Sequence, residues 1–152
     1  MGAKVVRDIM TKSIVTIDGD KTALEAAKLM AEKGISSLFI MKDAKLAGIV
    51  TERDFIKKVC AKELPISEVK VADIMSKILT TADPEMPIEV AVQRMINHKI
   101  RRLPIIENSK TVGIITVTDL AKHLRTTLLL DSTLSDTDTF DNAIASLGHD
   151  KQ

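Results

Sequence analysis

The chain has 152 residues, a formal net charge of +1, and 45% hydrophobic against 28% charged residues, which fits one folded domain or two small ones and supplies no bulk field for a polyanion. Aromatic residues make up 2%, with no Trp and no Tyr, so the stacking platforms of a single-strand nucleic-acid binder are missing and the core must be aliphatic and methionine-filled. A single cysteine, Cys60, excludes an intrachain disulfide and a cysteine-rich metal site.

The first residues, Met1 to Asp8, contain no signal-peptide core and do not fit the myristoylation pattern, and no apolar run reaches membrane-spanning length. The expected compartment is the cytoplasm, with no membrane partner. A shift of 65 residues then lays the chain on itself without a gap. Asp8-Ile9-Met10 meets Asp73-Ile74-Met75, Met30 meets Met95, Ile35 meets Ile100, and Gly48-Ile49 meets Gly113-Ile114.

Each half reads alike. A Val-x-Asp-Ile-Met leader precedes an extended segment ending near Thr16 or Thr81. A helix follows. In the first half Thr22 and Glu25 form a capping box, Leu24, Ala27, Met30 and Ala31 mark the apolar face, and Gly34 ends it. In the second half Pro87 suits the first turn, with Ile88, Ala91 and Met95 inward. Strands over Leu38 to Met41 and Leu103 to Ile106 run into polar hairpin turns, Lys42 to Lys45 and Glu107 to Lys110. The glycine-containing strand pairs back, and a closing helix begins at Asp54 or Asp119. Each half is β-α-β-β-α, and roughly 60 residues cannot bury much core alone, so the halves are expected to pack on each other through their sheets. Pro65 breaks the connecting segment. The divisions are therefore 1–64, 65–130, and an acidic tail, 131–152, that reads as flexible except for a short helix over Phe140 to Leu147.

Chemistry concentrates at two strand-to-helix corners, Gly48-Ile49-Val50-Thr51-Glu52-Arg53-Asp54 and Gly113-Ile114-Ile115-Thr116-Val117-Thr118-Asp119. Such a corner presents backbone N–H groups that suit an anion, and its acid can accept hydrogen bonds from a sugar. The same Thr-x-x-Asp spacing is also a capping box that needs no ligand. Arg101-Arg102 suits a phosphate clamp or a solvated pair, and Arg53 a surface ion pair. His98, His123 and His149 lack metal-ligand spacing, the methionines read as core filler, and no nucleophile–base pair stands out, so no metal and no enzyme activity are expected.

These motifs together resemble a cystathionine β-synthase (CBS) domain pair, or Bateman module, over roughly residues 5–125. Ile100-Arg101-Arg102-Leu103-Pro104-Ile105-Ile106 followed by Gly113-Ile114-Ile115-Thr116 carries the closest likeness. The resemblance implies an α/β fold of the α+β type, two tandem β-α-β-β-α repeats packed sheet to sheet about a pseudo-two-fold axis. It implies a stand-alone regulatory module without a required cofactor, binding AMP, ADP, ATP or an S-adenosylmethionine-type molecule and acting on a regulated protein. It also implies a flat homodimer joined through helices such as 23–33 and 55–62 and their counterparts.

By the same resemblance Asp54 and Asp119 hold ribose hydroxyls, Thr51, Thr116 and Thr118 lie near ribose or phosphate, and the segments at Thr16 and Thr81 flank the base. The second repeat's site is then Thr81, Ile100, Arg101, Arg102, Pro104, Thr116, Thr118 and Asp119. The first repeat's site is Thr16, Ile35, Ser36, Ser37, Thr51, Arg53 and Asp54. Phe39 against Pro104, Arg53 against Thr118 and Ser36-Ser37 against the Arg pair make the two unequal, and the second is expected to bind more tightly. The competing expectation is a ligand-free dimerising adaptor; a nucleic-acid binder comes third.

Overall fold

The computed structural model describes residues 2–130; the acidic tail, its expected short helix and His149 lie outside them. The chain runs α1 (Val6–Ile9), β1 (Thr16–Asp18), α2 (Ala23–Lys33), β2 (Ser37–Lys42), β3 (Lys45–Thr51), α3 (Glu52–Phe55), α4 (Val71–Ile74), α5 (Ile88–His98), β4 (Arg102–Glu107), β5 (Lys110–Thr116) and α6 (Val117–Leu130). A π-helical turn over Ile56–Cys60 continues α3. No described helix is long and apolar enough to cross a membrane.

Local chemistry sets most boundaries. At the start of α2 the Glu25 N–H donates to Thr22 Oγ1 (3.1 Å) and the Thr22 N–H donates to Glu25 Oε2 (2.8 Å). Gly34 stops the helix at φ 64°, a conformation that costs glycine nothing. Pro87 stands at the N-cap of α5 rather than inside its first turn, and Lys99 takes the left-handed stop at φ 54°. Both hairpins turn through residue pairs at positive φ, Asp43-Ala44 and Asn108-Ser109, which match the twist of the strands they join. The closing helices begin at Glu52 and Val117, earlier than Asp54 and Asp119, because Thr51 and Thr116 are the residues that precede the first turn.

One strand is lost between the halves. β1 pairs parallel with β2, giving the order β1-β2-β3, and the Gly19 N–H continues this pairing to Met41 O (2.9 Å). In the second half the matching position is Pro84, which has no N–H, and the pairing shrinks to the bridge of Ala82 with Ile105 beside the two-stranded β4-β5 sheet.

The two halves exchange their leaders. Val71 and Ile74 of α4 are buried in a core with Ala26, Met30, Leu38, Ile40 and Val50 of the first half. Val6 of α1 is buried with Ala91, Met95, Leu103, Ile105 and Ile115 of the second. Ser76 pairs with Ile49 and Thr11 with Ile114, so each leader lies along the other half's last strand. The glycines of the Gly-Ile motif permit that approach. A Cβ on Gly48 would meet Met75 Sδ at 2.6 Å and Ser76 O at 2.8 Å, and one on Gly113 would meet Met10 Sδ and Thr11 O, each at 2.9 Å. Arg7 anchors the first leader further, with Nε on Glu85 (2.9 Å) and Nη2 on Glu107 (2.7 Å). These carboxylates hold the guanidinium pKa above its ordinary value.

The opposite faces of the two sheets line shared clefts. Leu38 and Ile40 enter the first core, while Phe39 between them, also buried, points to the opposite face; Pro104 does the same between Leu103 and Ile105. Phe39 shares a cleft with Ile114, and Pro104 shares another with Ile49. The result is an α+β arrangement of two repeats related by the 65-residue register, the first β-α-β-β-α as expected and the second with its leading strand reduced to the Ala82 bridge.

Candidate functional site

Two clefts open between the repeats, one per strand-to-helix corner. The larger, about 780 Å³, is walled by Thr11 and Ser13 to Val15, by Gly34 to Ser37 with Phe39, and by Ile114 and Thr116 to Thr118, with Arg101 and Arg102 beside them. The smaller, about 280 Å³, is walled by Ile49, Thr51 and Arg53, by Ser76 to Thr80, and by Lys99 to Arg102 with Pro104.

This grouping crosses the one read from the sequence. Thr116 and Thr118 do not share a cleft with Ile100 and Pro104; they face Ile35, Ser36 and Ser37 of the first repeat. Thr51 and Arg53 face Ile100 and Pro104 instead. Arg101 and Arg102, placed in the second repeat's site alone, line both. The physical cause is the leader exchange. The bridge of Thr11 to Ile114 carries Ser13, Ile14 and Val15 alongside Thr116, and the bridge of Ser76 to Ile49 carries Lys77 to Thr80 alongside Thr51. Thr16 and Thr81 line neither cleft: Thr16 is exposed at the start of β1, and the Thr81 carbonyl accepts a hydrogen bond from Arg94 Nη1 (2.6 Å). Sequence reasoning missed Thr11, Ser13, Ile14, Val15 and Ile114 as lining residues. The signal was present in Gly48 and Gly113, glycines inside strands, which commonly mark the close approach of another backbone.

The acids sit behind the cleft walls. Asp119 Oδ2 accepts from the Thr116 N–H (2.9 Å) and hydroxyl (3.1 Å), while the Asp119 N–H returns a bond to Thr116 Oγ1 (3.2 Å). Its Oδ1 accepts from the Thr11 hydroxyl (3.0 Å) of the exchanged leader. Asp54 repeats the scheme, with the Thr51 N–H at 2.9 Å on Oδ2 and the Ser76 hydroxyl at 3.0 Å on Oδ1. A fourth partner is added there: Lys58 Nζ lies 3.0 Å from Asp54 Oδ1 and donates to Ile74 O (3.0 Å). Asp54 is 6% exposed, and its surroundings satisfy it fully. The position matching Lys58 in the second repeat is His123, which lines a hollow of about 250 Å³ with Asp119, Asp8 and Lys122. Among the described residues no cluster of His, Cys, Asp and Glu is arranged to hold a metal.

Across the larger cleft Arg102 Nη2 donates to Ser36 Oγ (3.0 Å), tying the repeats together. The walls mix hydroxyls (Thr11, Ser13, Ser36, Ser37, Thr116, Thr118) with apolar cover from Ile14, Val15, Ile35, Phe39 and Ile114. Such a mixture suits a flat apolar base joined to a polar sugar.

The CBS domain family model matches twice, over residues 6–61 and 71–126. The chain belongs to the CBS domain family. The CBS domain-containing protein YhcV of Bacillus subtilis is 34% identical over 116 residues, covering 76% of this chain and 82% of that one. Three further curated relatives are longer, and the chain spans 60%, 62% and 63% of them. Among solved structures, a hexameric CBS-CP12 protein from bloom-forming cyanobacteria superposes with a TM-score of 0.74 at 28% identity, covering 100% of this chain and 87% of that one. The CBS domain pair of protein MJ0100, solved in complex with 5′-methylthioadenosine and S-adenosyl-L-methionine, superposes with a TM-score of 0.71 at 27% identity over 81% of this chain and 97% of that one. CBS domain pairs are regulatory ligand-binding modules.

Proposed function

We propose that the chain is a regulatory module that senses an adenine nucleotide or another adenosyl ligand in the larger cleft and passes the change to a partner protein. The observation that carries this is the cleft itself: two repeats meet around about 780 Å³ with hydroxyls on both walls, apolar cover and two guanidinium groups. The methylthioadenosine and S-adenosylmethionine complex of the MJ0100 pair supports the ligand class. The geometry also suggests a route for the signal. A ribose that takes a hydrogen-bonding position on Asp119 displaces the Thr11 hydroxyl, and Thr11 belongs to the leader that completes the second core. Binding then changes how the first leader sits on the second repeat. Exposed apolar side chains on the outer helices, Ile56, Val90 and Ile96, favour association with a second copy or a partner.

The competing reading, a ligand-free dimerising adaptor, draws support from one observation: both acids are already engaged by cap and leader hydroxyls. Calorimetric titration of AMP, ADP, ATP and S-adenosylmethionine separates the two. The sensing reading expects at least one to bind, to raise the melting temperature, and to lose ten- to a hundredfold in affinity in Asp119→Ala, which is about 1.5–3 kcal/mol for a charge-assisted hydrogen bond. Binding of none of the four, with no small molecule released on denaturing the purified protein, leaves the adaptor.

A further inference from the structure

Lys58 and His123 stand at matched positions, each four residues after a corner acid. In the first repeat Asp54 Oδ1 takes two donors at once, the Ser76 hydroxyl of the exchanged leader and Lys58 Nζ, each at 3.0 Å. Lys58 also donates to the Ile74 carbonyl (3.0 Å) of that leader. The cation there adds to the leader's hold on the corner and does not replace it. In the second repeat Asp119 Oδ1 takes the Thr11 hydroxyl (3.0 Å) in the same way, and His123 forms no ion pair among the described residues. The half-buried His123 instead lines the hollow of about 250 Å³, with Asp119 and Lys122 from its own helix and Asp8 and Ile9 from α1. The charged groups facing it are thus two carboxylates and one ammonium. The Lys4 and Val5 N–H groups hold the Asp8 carboxyl pKa below its ordinary value, so Asp8 is ionised wherever a histidine titrates. Residues four apart on a helix have Cβ atoms about 5–6 Å from each other, within reach of an imidazolium, and the hollow gives the ring room to turn.

We propose that His123 is a pH-operated latch on the second corner: protonated, it donates to Asp119 and plays the part that Lys58 plays on Asp54; neutral, it leaves Asp119 to a ligand hydroxyl. The first corner is then closed at every neutral pH, because lysine keeps its charge there, and the second closes only in acid. Closing it also holds Thr11, and with it the first leader, on the second repeat. The effect on a ligand rests on adenosyl sensing in the larger cleft; the effect on the fold stands without it.

The test compares the full chain with His123→Gln, a neutral side chain that hydrogen-bonds but does not titrate, between about pH 8 and about pH 5.5. Protonation creates the ion pair, so its stabilisation is present in acid and lost as pH rises. The melting temperature of wild type relative to His123→Gln is expected to rise by about 2 °C across the window as pH falls, the size of a partly exposed pair. His98→Gln, at the exposed end of α5, leaves that rise in place, and Asp119→Asn, which keeps the shape of the cap, abolishes it. Calorimetric titration of 5′-methylthioadenosine, which carries no phosphate to titrate, reads the ligand side. Its affinity for wild type is expected to fall about two- to fivefold over the same drop in pH and to stay level in His123→Gln. A melting difference that does not change with pH, or that changes equally in the Asp119→Asn background, overturns the latch. A changing melting difference beside a pH-independent affinity overturns its control of the ligand. A changing melting difference with no binding of 5′-methylthioadenosine at any pH upholds the latch on the fold and counts against adenosyl sensing alone, so the two failures are distinguishable.

Discussion

Asp54 and Asp119 occupy the same place in two copies of one motif, yet their surroundings differ by one residue that matters. Lys58 reaches Asp54 at 3.0 Å, while the matching His123 forms no ion pair with Asp119 among the described residues. Asp54 is thereby a buried structural charge whose cation is in place. Asp119 has only hydroxyl and amide partners, and its Thr11 bond is one neutral donor that a ligand hydroxyl can replace. A repeat fixes where a backbone turns; the side chains packed behind the turn decide whether the corner is reserved for the fold or is available to a ligand.

Removing each acid breaks the comparison most directly. Asp54→Ala leaves Lys58, Ser76 and the Thr51 N–H without their acceptor, which costs about 2–4 kcal/mol, the usual 3–5 kcal/mol for a broken buried pair reduced because Lys58 is 37% exposed. Asp119→Ala removes a cap and costs about 1 kcal/mol. Denaturant unfolding of both variants measures the gap; equal losses would show that Lys58 does not distinguish the corners.

Gly113→Ala tests the leader exchange beneath both corners. Its Cβ would lie 2.9 Å from Thr11 O, a backbone atom, so the leader must shift, at a cost of about 1–3 kcal/mol for overpacking. The same shift pulls Thr11 from Asp119 and is expected to alter ligand affinity, which a surface alanine would not do. Unchanged unfolding free energy would mean that the leader is not held against β5 in solution.

His123→Lys converts the second corner toward the first. A lysine there has the spacing that lets Lys58 reach Asp54, so Asp119 gains a competing cation. The expected stability gain is below about 1 kcal/mol, because the site is partly exposed. Affinity for an adenosyl ligand is expected to fall, and calorimetry of the variant beside wild type measures it. Unaltered affinity would separate Asp119 from ligand binding.

Much of this was legible in the chain. The 65-residue register, the Thr22–Glu25 box, the stop at Gly34 and both hairpin turns follow from residues close in sequence. The Pro84 interruption was readable too, since proline lacks the donor that Gly19 supplies. The partnering of the clefts was not. A Val-x-Asp-Ile-Met leader presents the same apolar face to its own repeat or to the other, and periodicity cannot choose between two equivalent cores. Only the steric demand at Gly48 and Gly113 carries that choice, and it becomes visible once Met75 and Met10 are seen against them.

The smallest expected effect concerns pH and two caps outside the corners. The Thr22 N–H holds the Glu25 carboxyl pKa below its ordinary value, and the Lys4 and Val5 N–H groups do the same for Asp8. A carboxylate whose folded pKa is depressed contributes stability that is fully present above its unfolded pKa, near 4, and is lost as pH falls through the folded value. Glu25→Gln keeps the shape of the capping box and removes the titration. Wild type is therefore expected to be the more stable of the two at about pH 7, with the difference in melting temperature closing as pH drops below about 4. A difference that stays constant across that window would show that Glu25 acts through its shape and hydrogen bonds alone, with its charge contributing nothing to the start of α2.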